Sequence, residues 1–271
     1  MSSRAQWIVL ALSLVGGCLD HTPLGPGADV VVVHAVLNPT TSVQHIDVRY
    51  AARDGLPVHD ATVTLTAPDG STHVATEVTP TGRVNALPRY DVAMGTLTVG
   101  MPYHLRVVTP DGLTAEGDAS VPAVPAPQTM TERRLDPATD TLRLSWPRVA
   151  GARAYEVRID LPLDSTYRPL VGTPGEDVYS VFNEFLAYVD TSLTIPGAAL
   201  YKDHPVFLPG MRYEVTVSAV DDHYYDYFAH QSDPYTTTPL PSSLRGGAGV
   251  FGAIVPILRQ TIVVAGNPPS R

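Results

Sequence analysis

The chain has 271 residues, a net charge of −9 and 17% charged residues, with acidic and basic side chains scattered along it. No basic stripe is present, which excludes a nucleic-acid-binding face and leaves the mild acidity as an aid to solubility. Cys18 is the sole cysteine, so intramolecular disulfides are excluded and the folds depend on apolar cores.

In chain order, the first feature is Arg4 ahead of the run Trp7-Ile-Val-Leu-Ala-Leu-Ser-Leu-Val-Gly-Gly-Cys18. A basic residue, a short apolar stretch and two small residues are the layout of a secretion signal. The run is shorter than the roughly 20 residues of a membrane-spanning helix. Its end, Val15-Gly16-Gly17-Cys18, resembles the lipobox of bacterial lipoproteins. That resemblance implies removal of residues 1–17 and a diacylglyceryl group on the Cys18 thiol. The mature protein then starts at Cys18, outside the cytoplasm and anchored to a membrane by lipid. Each buried CH₂ of such an anchor contributes about 0.8 kcal/mol. The plainer alternatives are an ordinary signal peptide with a chance cysteine, or a buried free thiol. Leu19 follows, not Asp, so the commonest inner-membrane retention signal is missing and the outer membrane is expected, on its periplasmic or surface face. Residues 18–28 read as a tether.

Next come many short runs rich in Val, Thr, Tyr and Leu, punctuated by 26 prolines and 21 glycines. That is the pattern of an all-β protein. Residues 29–122 read as a first β-sandwich. Its strands are expected at 29–37, 43–50, 61–66, 72–78, 89–93, 102–109 and 113–121, with hairpin turns at Pro68-Asp69-Gly70 and Pro110-Asp111-Gly112. Residues 123–127 form a Pro-rich linker. Residues 128–266 read as a second sandwich, followed by a tail at 267–271. Leu142, Leu144 and Trp146 share one strand face, as do Tyr155, Val157 and Ile159. Residues 160–190 exceed an ordinary sandwich connection. Val178, Val181, Phe182, Phe185 and Leu186 fall at helical spacing behind Glu176 and Asp177, which predicts a short helix over 176–187. Further strands are expected at 192–195, at 212–220, and from Gly249 to about Val264.

Trp146, then Val149, Gly151, Tyr155 and Val157, then Leu208, Gly210, Tyr213, Val215 and Val217 resemble a fibronectin type III module. The resemblance implies that Trp146 is a core residue and Tyr213 a tyrosine corner. Tyr103, after Gly100, looks like a second corner. The first module, with Gly55-Leu-Pro-Val58, Ala61-Thr-Val63 and Asp69-Gly70, is similar to carboxypeptidase-regulatory and transthyretin-like sandwiches. The whole order, ending in Gly246-Gly-Ala-Gly-Val-Phe-Gly252, resembles a bacterial lipoprotein family known as a domain of unknown function. Its members are often encoded beside TonB-dependent outer-membrane receptors. This implies a cell-envelope role with an outer-membrane receptor or envelope protein as partner, and brings no catalytic residue with it.

Gly-x-Ser-x-Gly and His-Glu-x-x-His are both absent, and the nine histidines show no paired ligand spacing. No catalytic residue, metal site or cofactor is therefore assigned, and the chain reads as non-enzymatic. One cluster stands out, Asp221-Asp-His-Tyr-Tyr-Asp-Tyr-Phe228, expected as a loop at a strand end. There Tyr224, Tyr225, Tyr227 and Phe228 offer apolar area with hydroxyl handles for a partner or ligand. Asp221, Asp222 and Asp226 are a Ca²⁺ candidate that lacks EF-hand spacing. The plainer reading has the tyrosines cover the core and pack against the 160–190 insert. Two functions remain. One is a lipid-anchored binding or scaffolding partner of an outer-membrane transport or surface complex. The other is a carbohydrate- or peptide-binding lipoprotein in nutrient capture.

Overall fold

The computed structural model describes residues 30–51, 53, 55–80, 87–124, 127–162, 178–230 and 241–267. The signal segment, Cys18, the whole tether, the Pro125–Ala126 part of the linker and the start of the predicted 176–187 helix lie outside them. The protein is all-β with one short helix among the described residues.

The first sandwich uses β1 (Val31–Leu37), β2 (Val43–Tyr50), β3 (Thr62–Thr66), β4 (Thr72–Val74), β5 (Thr76–Val78), β6 (Arg89–Ala93), β7 (Pro102–Val108) and β8 (Thr114–Ser120). One sheet runs β5-β6-β2-β1, and the other runs β4-β3-β7-β8. Period-two alternation turns Val31, Val33, Ile46, Val48, Val63, Leu65, Leu105 and Val107 into the shared core, all at most 2% exposed. The expected 72–78 strand is two strands. Ala75 turns the corner between the sheets, its N–H donating to the Val63 carbonyl at 2.9 Å.

The second sandwich uses β9 (Gln128–Thr129), β10 (Arg133–Leu135), β11 (Thr141–Ser145), β12 (Ala154–Pro162), β13 (Val178–Ala187), β14 (Ser192–Pro196), the small hairpin β15 (Leu200–Tyr201) and β16 (His204–Pro205), β17 (Arg212–Val220) and β18 (Ala248–Val264). Strands β11 and β14 form one sheet, and β13-β12-β17-β18 form the other. Trp146, 5% exposed, meets Tyr155 edge-on at 5.6 Å. Both expected tyrosine corners are present. The Tyr213 hydroxyl accepts the Leu208 N–H at 2.9 Å, and the Tyr103 hydroxyl accepts the Thr98 N–H at 2.7 Å.

The segment expected as a helix over 176–187 is the strand β13 where it is described. It pairs with β12 through a bulge at Val181, where Ile159 opposes Phe182 and Asp160 opposes Ser180. The bulge and burial on both faces produce the helix-like spacing. Phe182 packs on Tyr201 and Leu186 against the sandwich core, while Phe185 points to the opposite face.

Strand β18 belongs to both sandwiches. Its first part, Ala248–Ala253, runs parallel to β1 from Val32↔Ala248 to Leu37↔Ala253. Its second part runs antiparallel to β17 from Val220↔Ile254 to Arg212↔Val263. At about 3.3 Å per residue, the strand spans roughly 55 Å. Pro256 is tolerated inside it because the register shifts beside it, between Val217 and Ser218 of β17. Residues 248–253, which follow β17 in sequence, thus close the first sandwich. The chain arrives along β8, where Arg245 and Glu116 exchange backbone hydrogen bonds of 2.8 and 3.0 Å. It then crosses to β1. Gly249 sits at φ +103°, and a Cβ there would collide with the Val33 carbonyl. The glycine-rich stretch therefore serves close backbone packing.

Candidate functional site

The segment after β17 is a helix, α1 (Asp222–Ala229), rather than the expected loop. Asp221 caps it, its carboxylate accepting the Tyr224 N–H at 2.8 Å. Tyr224, Tyr227 and Phe228 fall at positions i, i+3 and i+4, which puts them on one face of the helix. That face lies on the outer surface of the long sheet, where β18 passes from one sandwich to the other. Gly252 makes the approach possible. A Cβ there would lie 2.8 Å from the Tyr224 nitrogen and 2.9 Å from the Asp221 Oδ1.

The helix divides the four candidate aromatics. Tyr224 and Tyr227 are buried, at 7% and 6% exposure, and Tyr225 and Phe228 are partly exposed. The Tyr224 hydroxyl donates to Glu156 Oε2 on β12 at 3.1 Å, and its ring lies 4.5 Å from that of Phe228. The Tyr227 hydroxyl is 2.5 Å from His34 Nε2 on β1, with the two rings edge-on at 5.1 Å. One helix face therefore grips both sandwiches. Tyr225 meets Phe185 of β13 edge-on at 5.5 Å, and the Arg153 guanidinium lies over its ring at 4.9 Å.

The electrostatics follow from this burial. Burial pushes the Asp221 carboxyl up to about 6, against the backbone N–H groups of Tyr224 and Ala253 that stabilise its charged form. Burial likewise raises Glu156, which Arg158 opposes, and raises the Tyr224 phenol well above its ordinary range. His34 is lowered by burial, so the imidazole meeting Tyr227 is neutral at pH 7. The three aspartates do not converge. Asp221 caps the helix, while Asp222 turns outward to Arg153 at 3.6 Å. Among the described residues no group of three or more His, Cys, Asp or Glu is arranged to hold a metal ion.

Sequence reasoning found the aromatic cluster and, in its plainer reading, the packing of its tyrosines against the 160–190 segment, which Phe185 provides. It missed the partners His34, Glu156 and Arg153. His34 and Glu156 stand on the outer faces of their strands, where alternation predicts solvent. The docking of α1 covers both, leaving His34 half-buried and Glu156 buried.

No family model matches the chain, and no curated protein matches it. Similar solved structures include a pullulanase from Anoxybacillus sp. LM18-11, 14% identical over 68% of this chain and 24% of that one, with a TM-score of 0.24. A second is SGBP-B of the Bacteroides ovatus mixed-linkage glucan utilization locus, in complex with a mixed-linkage heptasaccharide. It is 12% identical over 85% of this chain and 43% of that one, with a TM-score of 0.23. A third is DIP-gamma IG1+IG2, 8% identical over 87% of this chain and 99% of that one, with a TM-score of 0.20. The chain thus spans less than half of the pullulanase and SGBP-B chains.

Proposed function

We propose that this protein is a non-enzymatic, lipid-anchored component of the cell envelope, a binding or scaffolding partner of an outer-membrane transport or surface complex. The observation that carries this reading is the shared strand. β18 pairs with β1 in one sandwich and with β17 in the other, and α1 spans the crossing. Two modules joined this way hold one orientation, which suits a rigid body that presents a surface to a larger partner. The Val15-Gly16-Gly17-Cys18 run supplies the anchor in this reading. The test has two parts. Cys18→Ser is expected to move the protein from membrane to soluble fractions after a carbonate wash. Cross-linking and pull-down from envelope membranes is expected to recover a stoichiometric outer-membrane partner. A Cys18→Ser protein that stays in the membrane contradicts the anchor, and recovery without a stoichiometric partner contradicts the scaffold.

A second reading, capture of a carbohydrate or peptide, is favoured by the partly exposed patch of Tyr225, Phe185 and Phe228. Partly exposed rings offer stacking area to a sugar or an apolar side chain. Melting shifts across a glycan and peptide panel, abolished by Tyr225→Ser, are the outcome this reading expects.

A further inference from the structure

Beside α1, the outer face of the first sandwich holds a hollow of about 180 Å³ lined by Val32, His34, Asp47 and Arg49. Strand register builds it. His34 lies directly opposite Asp47, and Val32 opposite Arg49, so the four side chains form a square on one face of β1 and β2. The size excludes a drug-sized molecule, whose sites begin at about 300 Å³.

The charges in this square stand apart from their surroundings. Further along the same face, Asp91 takes His45 at 2.7 Å and Arg89 at 2.9 Å. Asp47 and Arg49 are opposite in sign and two residues apart. Yet among the described residues neither makes a side-chain hydrogen bond or ion pair, with the other or with any third group. They line the hollow instead. His34 adds a third polar group. When its Nε2 accepts the Tyr227 hydroxyl, the neutral ring carries its proton on Nδ1 and offers it as a donor. The hollow thus presents one cation, one anion, a neutral donor and the apolar Val32.

We propose that this hollow binds a free α-amino acid, with the carboxylate on Arg49, the ammonium on Asp47 and the alkyl group against Val32. A zwitterion satisfies both charges at once. A simple carboxylate leaves Asp47 without a partner, and a simple amine leaves Arg49 without one. A sugar acid supplies the carboxylate but only hydroxyls for Asp47. The site is independent of the scaffolding role. It lies one hydrogen bond from the helix that spans the two sandwiches, through His34 and Tyr227.

The test is titration calorimetry of the intact protein in detergent with L-valine, 3-methylbutanoate, isobutylamine and glucuronate. The second and third compounds are valine without its amine and without its carboxylate. Valine is expected to bind saturably, with a dissociation constant on the order of 1 mM, and the other three at least about tenfold more weakly. Arg49→Met and Asp47→Asn are each expected to weaken valine about tenfold or more, with melting temperatures near that of the parent. If either variant fails to fold, the ligand series on the parent protein decides alone. Absence of saturable valine binding overturns the proposal. So does glucuronate binding as tightly as valine, and so does undiminished valine binding in both folded variants.

Discussion

The Tyr227 hydroxyl meets the Nε2 of His34 at 2.5 Å across 193 residues of chain, joining a helix that follows the second sandwich's β17 to the first strand of the first sandwich. The contact is largely shielded from water, since Tyr227 is 6% exposed. It is the side-chain counterpart of the backbone continuity that β18 provides. Tyr227→Phe keeps the ring against Phe228 and removes the bond, leaving a ring nitrogen without its partner. The expected cost is about 1–2 kcal/mol in urea unfolding. Hydrogen exchange is expected to rise at Ala253 and Ile254, where the helix covers the crossing, and little in β7. Unchanged exchange there contradicts a clamp.

Gly252→Ala tests the seat of the helix. In an ordinary strand this change removes unfolded-state freedom and stabilises slightly. Here the new methyl meets the Tyr224 nitrogen at 2.8 Å and the Asp221 carboxylate at 2.9 Å. A destabilisation of about 1–3 kcal/mol in thermal melting is expected, because neither the helix backbone nor its cap yields without moving α1.

Asp221 gives the protein a pH dependence of definite sign. Its folded value of about 6 lies above its ordinary 3.8, so the folded state holds the proton more tightly than the unfolded chain. The stabilising contribution is fully present below about pH 4 and is lost as pH rises towards 6. Glu156, raised for the same reason, acts in the same direction. Asp221→Asn keeps a good capping residue and removes the titration. Unfolding free energies measured between pH 4 and 7 are expected to fall less steeply in the variant, by on the order of 2 kcal/mol across the window. Parallel curves contradict the assignment.

The second core has its own test. Trp146→Ala is expected to cost about 3–5 kcal/mol. Tyr213→Phe removes the acceptor of the Leu208 N–H and is expected to cost about 1–3 kcal/mol. Chemical denaturation of both variants checks the values.

Local pattern made much of this fold legible. Alternation gave β2, β6 and β17 their bounds, and the spacing of Gly210 and Tyr213 marked a corner that forms as expected. What failed was structure whose cause lies far away in the chain. β13 reads as helical because a bulge at Val181 and an overlying helix bury residues on both of its faces. α1 was legible in principle, from Asp221 as a cap and Tyr224, Tyr227 and Phe228 at i, i+3 and i+4, but eight residues give periodicity little room. The double membership of β18 leaves no local trace, since parallel pairing with β1 joins opposite ends of the chain. His34 entered the site for that same reason, and Glu156 because α1 docks on the outer face of its strand.

The central claim is that the two sandwiches form one body. Trp146 is the only tryptophan from Cys18 onward, so in the processed chain the indole fluorescence reports the second sandwich alone. Far-UV circular dichroism reports both. Urea unfolding followed by the two signals on one sample is the most direct measurement. The account predicts a single transition with coincident midpoints and slopes, because neither sandwich keeps its β18 pairing while the other unfolds. Two separated transitions, with Trp146 reporting only one of them, would contradict it.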